Sequence, residues 1–352
     1  MQLVPDWAPN IHPIIVHFPL VLLIIAVLFD LVGLALTKFD WIKKSALLLY
    51  FLGTIAAAVA FITGIEASNN IDIPANAFST VNEHADWAEI TLWFFSIYTI
   101  IRLTVGLFFK SLKKVFVVAI VLAGLLGIYL LYQTGDHGAQ LVFGYGFGTG
   151  NLTKQEKQQN DTVEKEKISD STFNINENGS WKLIADNGII NVLSEKFKWI
   201  EGSLEGLSPM FDPAESVLMF HKTPESIFVY DNKLKGVQVT AKINIDDFTG
   251  ELELVHHFID ENNNDFLGLK DGEISLSRKS NGEIKIFEKE KFQSNGWLEI
   301  KVVSEGTHFR GYINNKMIVH GHGSKPEAGS VGIRINGNGI LYLSSIAVQS
   351  LQ

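Results

Sequence analysis

Four apolar runs before residue 134 set the strongest limit on what this chain can fold into: Ile14–Leu36, Ser45–Ile65, Trp87–Phe109 and Val115–Tyr132. Each approaches the ~20 residues that a helix needs to cross a hydrocarbon core of roughly 30 Å. In lipid only helices and closed barrels satisfy every backbone polar group. The first run lacks the basic n-region and small-x-small cleavage site of a signal peptide, so it is read as a retained helix. Lysines lie on one side only. Lys38, Lys43 and Lys44 fall between the first two runs, and Lys110, Lys113 and Lys114 between the last two. The N-terminal tail and the segment 67–86 carry no Lys or Arg, and the latter holds Asp72, Glu83 and Asp86. The positive-inside rule then places both lysine loops in the cytoplasm, and the N-terminus with everything after the fourth run outside. For a bacterial chain that is a multi-pass protein of the cytoplasmic membrane with a periplasmic C-terminal domain.

This orientation gathers His12, His17, His84 and His137 at the outer ends of the helices. Pro13 suits the first turn of helix one, where its missing N–H costs nothing. His17 then lies just over one turn inside, and Pro19 loosens the turn around it. Thr80-x-x-Glu83 reads as a capping box, which puts His84 at a depth similar to that of His17. His137 follows helix four, in the glycine-rich "TGDHGAQLVFGYGFGTG". Three readings stay open. The histidines are interfacial; or His17 and His84 are axial ligands of a b-type haem that serves electron transfer with a redox partner, with His12 and His137 as weaker candidates; or three histidines with Glu66, Asp86 or Glu89 form a non-haem metal or proton-relay site. Arg102 is read as snorkelling to the cytoplasmic interface. The chain has no cysteine, which excludes disulfides, thiolate metal sites and c-type haem. A net charge of −9 with no basic stripe argues against nucleic acid as a partner.

"HPIIVHFP", Thr63–Gly64, a histidine opening helix three and "GAQLVFGYGFGTG" together resemble a bacterial four-helix membrane domain family of unknown function, over about residues 10–150. The resemblance aligns His12, His17, Pro19, His84, Gly138 and Gly146 with family positions. It implies a domain found beside or fused to cytochrome-like or extracytoplasmic modules. The family's last motif reads LVYxHGVGV, and Tyr145 stands at its histidine.

Three parts follow: a four-helix transmembrane domain over 1–150, a flexible charged linker over 151–171, and a third part over 172–352. The linker has almost no large apolar residues to bury. From Thr172 the apolar period becomes two, as in "VQVTAKINI", "ELELVHHFI", "WLEIKVV" and "ILYLSSIAV", with turns expected at Asn281–Gly282 and Asn336–Gly337. Many short strands with turn signals predict an antiparallel β-sandwich. Trp297 opening a strand, Gly306 at a turn, "FRGYINNKMIVHG" and "EAGSVGIRING" resemble concanavalin-like (laminin-G/glucanase-type) jelly rolls. The tryptophan and glycines of that pattern serve packing and turns.

No catalytic constellation emerges. Glu251-x-Glu253 is read as a solvent face, short of the carboxylate pairing a glycosidase needs. Asp260, Glu261 and Asp265 with their asparagines read as an acidic turn, with calcium as the alternative. His256 and His257 are expected on opposite faces, and His320 and His322 on one. The sandwich is therefore read as a binding domain for a glycan or a protein ligand. Trp181, Trp199, Phe228 and Tyr230 are candidate platforms. A cofactor-free anchor carrying a carbohydrate-binding module is the alternative to the haem reading, and a glycoside-acting enzyme is a further one.

Overall fold

The computed structural model describes residues 10–71, 73–109, 114–147, 172–293 and 296–351. The linker expected at 151–171, residues 110–113 and position 72 lie outside the described residues.

The first unit is built on long helices: a short α1 (His12–Ile15), then α2 (His17–Ala35), α3 (Asp40–Asn70), α4 (Phe78–Phe108) and α5 (Lys114–Phe143). Four of these stretches, with α1 and α2 counted together, are long and apolar enough to cross a membrane. Their outward side chains are apolar, with Phe18, Ile62, Trp93, Ile100 and Phe116 all exposed. A bilayer would cover such a surface at no cost. The interruption at Val16 has a covalent cause: Pro19 has no N–H to offer the carbonyl of Ile15.

Three helices run further than the apolar windows suggest. Helix α3 continues through Glu66, Asn69 and Asn70. Helix α4 starts at Phe78, after a 3-10 turn at Ala75–Ala77, so Thr80 is inside the helix and is not its cap. Its hydroxyl instead donates to the Tyr145 hydroxyl at 3.3 Å. Helix α5 runs through Gly135 and Gly138 to Phe143, so His137 is a helical residue and does not follow the helix. In each case the backbone hydrogen bonds stay within the helix, and polar side chains are no reason to stop where headgroups and water begin.

Inside the bundle, Leu23, Ala26, Val27, Ala46, Tyr50, Phe95, Tyr98 and Leu131 form the packed centre. A Cβ on Gly127 would come within 2.5 Å of the Phe95 ring, so only glycine admits that ring there. Thr54 meets Thr99 at 2.8 Å and Thr91 meets Thr134 at 2.9 Å, hydroxyl bonds that tie helices together where lipid offers no partner.

The second unit is a sandwich of two antiparallel sheets. One runs β1 (Phe173–Ile175), β2 (Trp181–Ile184), β16 (Leu341–Ser350), β7 (Val237–Asn244), β12 (Trp297–Glu305), β13 (His308–Ile313), β14 (Lys316–His322), with β4 (Pro209–Asp212) and β5 (Val217–Phe220) joined beside β16. The other runs β11 (Glu283–Lys291), β10 (Glu273–Ser280), β9 (Asn263–Lys270), β8 (Phe248–Asp260), β15 (Gly329–Gly339), β6 (Ser226–Leu234), β3 (Lys198–Glu201). Helix α6 (Ile189–Lys196) adds Ile189 and Leu193 to the shared core.

Val237, Val239, Ala241 and Ile243 of β7 all point into that core, as the alternation predicts. The turn at Asn281–Gly282 forms, with both residues at positive φ. The turn expected at Asn336–Gly337 does not. Both residues lie within β15, paired with Glu251 and Gly250. A Cβ on Gly337 would lie 2.4 Å from the Thr249 carbonyl, so this glycine serves close strand approach.

Candidate functional site

At the end of the bundle away from the lysine-bearing segments, the sequence-favoured pair is not the one that meets. His17 is exposed on α2, whereas the ring of His12 meets that of His84 edge-on, 6.4 Å between centroids. The family-like motifs have a direct role in this packing. A Cβ on Gly64 would lie 3.0 Å from the His12 ring, and one on Gly138 would lie 3.1 Å from the His84 ring. Each imidazole thus rests on a glycine of a neighbouring helix.

Hydrogen bonds define the tautomers. The Thr63 hydroxyl donates to the Ala60 carbonyl at 3.0 Å, so it accepts from Nδ1 of His12 at 3.2 Å. His84 Nδ1 faces the Thr134 carbonyl at 3.0 Å and must donate to it. Both rings therefore keep an Nε2 lone pair. His137 differs. Its Nδ1 donates to the Gln133 carbonyl at 2.7 Å, and its Nε2 lies 3.1 Å from a Glu83 carboxylate oxygen, so both ring nitrogens have partners. It stacks beside Trp87, 6.5 Å between ring centroids.

A second polar centre lies deeper and was not anticipated. Arg102 does not snorkel: its Nη2 bonds Asp30 Oδ1 at 2.5 Å, and the Tyr50 hydroxyl donates to Asp30 Oδ2 at 2.9 Å. The guanidinium also lies over the Tyr50 ring, 5.6 Å from its centroid. Asp30 and Arg102 each lie about the same number of residues from the lysine-bearing helix ends, and that equal depth was the available signal.

On the sandwich, two clusters separate the faces of the seven-stranded sheet. Phe228, Leu252, Leu254, Leu267, Val331 and Ile333 enter the core, while Ile227, Val229, Val255, Phe258 and Phe266 form an apolar strip on the opposite, outward face. At one end of the strip, Lys198, Asp231, Lys233, Glu327 and Ser330 rim a cavity of about 170 Å³ over Ile200, Val229 and Phe258. At the other end Arg334 reaches Glu225 at 2.5 Å and Glu253 at 3.7 Å. Glu253 is not the solvent-facing acid expected: it is 3% exposed. Arg334 favours Glu225, so burial dominates at Glu253 and pushes its carboxyl up to about 7, against the smaller pull of Arg334. The candidate platforms are core: Trp181, Phe197, Phe228 and Tyr230 pack on one another with Trp199 against Phe228.

The acidic turn also divides. Asp260 accepts from the Asn262 N–H at 2.8 Å and from Asn263, an ordinary polar turn. Asp265 lies outside that turn, buried in β9, where Arg278 grips it with two bonds of 2.6 and 2.8 Å. His256 and His257 do not diverge, because His257 adopts φ 49° and breaks the alternation. Their Nδ1 atoms meet at 2.8 Å, and His257 Nε2 donates to the Lys235 carbonyl at 3.0 Å. Burial holds both imidazoles below their ordinary range, hence neutral. With the His257 lone pair used by His256 and Asp265 held by Arg278, this group is a closed hydrogen-bond network.

Residues 8–151 match the model of a family described as predicted membrane protein (DUF2231). No match was found among curated proteins. Among solved structures, the chain is similar to the carbohydrate-binding module CBM66 from Bacillus subtilis, at 15% identity and a TM-score of 0.34 over 44% of this chain and 92% of that one. It is similar to a Bacillus licheniformis β-glucanase, at 8% identity and a TM-score of 0.39 over 50% and 100%. A Caenorhabditis elegans galectin matches at 15% identity and a TM-score of 0.29 over 37% and 95%.

Proposed function

We propose that this membrane protein holds a glycan-binding β-sandwich at the outer surface of a bacterial cytoplasmic membrane. The observation that carries the reading is the cavity of about 170 Å³ at one end of the outward face of the seven-stranded sheet, where Lys198, Asp231, Lys233, Glu327 and Ser330 rim an apolar floor of Ile200, Val229 and Phe258. Sugars present the matching chemistry. Their C–H faces pack on apolar side chains, and their vicinal hydroxyls donate to carboxylates such as Asp231 and accept from ammonium groups such as Lys233. The lysine asymmetry supports the outer placement. The test is binding of detergent-solubilised full chain to a polysaccharide array. Retention on at least one glycan, weakened roughly tenfold or more by Asp231→Ala with Lys233→Ala (about 1.4 kcal/mol), supports the reading. Retention on none, or binding indifferent to that variant, overturns it. The lack of native cysteine makes orientation testable: Ser350→Cys should react with an impermeant maleimide in intact spheroplasts, and Lys38→Cys only after lysis.

A second reading concerns the bundle: His12 and His84 as axial ligands of b-type haem, passing electrons to a redox partner. It is favoured by two neighbouring imidazoles whose Nδ1 atoms are engaged and whose Nε2 atoms are left to ligate. A Soret band in haem-replete protein, abolished by His12→Ala or His84→Ala and unchanged in His17→Ala, is the expected result. Its absence from folded protein ends this reading.

A further inference from the structure

The β13–β14 hairpin carries a histidine group that the glycan reading does not use. His308 pairs directly with His322 in the ladder, and His320 with Arg310. Residues two apart share a face, so His308, His320 and His322 project from the same side of the hairpin. Their ring centroids are 5.8, 4.5 and 4.6 Å apart, and each ring offers a nitrogen within 4.8 Å of the others. Metal–imidazole bonds of about 2.0–2.1 Å at tetrahedral angles put ring centroids roughly 5 Å apart. The three observed separations bracket that value, on strands whose register is locked by backbone bonds.

We propose that His308, His320 and His322 form a three-histidine site for a zinc-class divalent transition metal, with the fourth position left to water. The second, independent observation is at His320. Its Nε2 is buried without a hydrogen-bond partner, which is costly for an imidazole unless a ligand takes the lone pair. The His320 backbone N–H donates to the Glu288 carboxylate, which fixes the strand at this point. His322 is exposed and gives the ion its way in. All-imidazole donors in a chain without thiols select zinc, cobalt, nickel or copper over calcium or magnesium.

Full-length, tag-free protein in chelator-treated detergent buffer would be titrated with Co²⁺ and then Zn²⁺. One equivalent of Co²⁺ should give the intense visible bands of tetrahedral coordination, and Zn²⁺ should displace it. His322→Ala changes an exposed side chain and should weaken binding about a hundredfold or more, as should His320→Gln. His84→Ala should leave the signal intact. No tetrahedral Co²⁺ in the wild type, or an undiminished signal in both hairpin variants, would overturn the proposal. Loss in His84→Ala with retention in His322→Ala would place the ion in the bundle and overturn it equally.

Discussion

The raised carboxyl of Glu253 makes a quantitative forecast about how the sandwich responds to pH. Folding takes this group from its ordinary 4.5 to about 7, because burial outweighs an Arg334 that is shared with Glu225. Below pH ~4.5 the carboxyl is protonated in the folded and unfolded states alike, and it contributes no pH dependence. Between about 4.5 and 7 the unfolded chain releases its proton while the folded chain keeps it. The folded state therefore binds more protons there, and stability falls as pH rises. Above about 7 both states are ionised and the whole difference persists. At about 1.4 kcal/mol per pKa unit, the loss across this window is on the order of 3 kcal/mol.

Glu253→Gln is the isosteric test, since the amide oxygen still accepts from Arg334 but carries no titration. Thermal unfolding of the full chain in detergent, followed by its β-sheet signal, would be measured from about pH 4 to about pH 8 in both proteins. Subtracting the curves removes every other titrating group. The glutamine variant should gain on the wild type by about 3 kcal/mol across the window, or roughly 6–12 °C in Tm for a unit of this size. A flat difference curve would refute the reasoning. So would one of opposite slope, which would mean that Arg334 keeps the carboxylate ionised throughout.

Arg278→Ala should destabilise the sandwich by about 3–5 kcal/mol, because it leaves Asp265 buried without its guanidinium. Arg278→Lys should recover little, since an ammonium cannot form both bonds at once; denaturant midpoints would decide. In the bundle, Asp30→Ala should cost a comparable ~3–5 kcal/mol by stranding Arg102 among the helices. Asp30→Ala with Arg102→Leu should recover part of that loss, read as thermal stability in detergent, and strictly additive losses would show that the pair is uncoupled. Gly138→Leu should push the His84 ring off its seat, lowering bundle stability and any haem signal together, while Gly135→Ala, with nothing within 4 Å of its added carbon, should change neither.

These sites divide by what one sequence can encode. Apolar run length and the change of period from helix to strand are local, so the existence of the four spans and of the strands β7, β8, β12 and β16 was legible, while the polar ends of α3, α4 and α5 were not. Contacts between distant positions were not. Asp265 looked like part of an acidic turn because its partner Arg278 comes from the next strand. Glu251 and Glu253 alternate with Leu252 and Leu254, and alternation distinguishes two faces without saying that one of them is wet. On the seven-stranded sheet the outward face carries its own apolar strip, so an acid there can be buried as deeply as a core leucine. His256 and His257 defeated the period itself, because one residue at positive φ turns two opposed side chains toward each other.

The histidines at the bundle end away from the lysines show what depth alone leaves open. Matching depth paired His17 with His84, but a helix also assigns each residue an azimuth. Five residues at 3.6 per turn rotate a side chain by about 140°. If His12 faces the bundle, His17 therefore faces away from it. Which of the two turns inward depends on where a neighbouring helix leaves space, and Gly64 on α3 leaves it opposite His12. Thr63 beside it supplies the hydrogen bond that holds the ring there. The Thr–Gly dipeptide is thus the complement of the first histidine of HPIIVHFP, as Thr134 with Gly138 is the complement of His84. Each threonine–glycine set accepts from one Nδ1–H and leaves its Nε2 uncommitted. Replacing Thr63 with valine should therefore release the His12 ring without unfolding the bundle, a change visible as exchange broadening of the His12 imidazole NMR signals. An unchanged His12 signal in that variant would mean that Gly64 packing alone positions the ring.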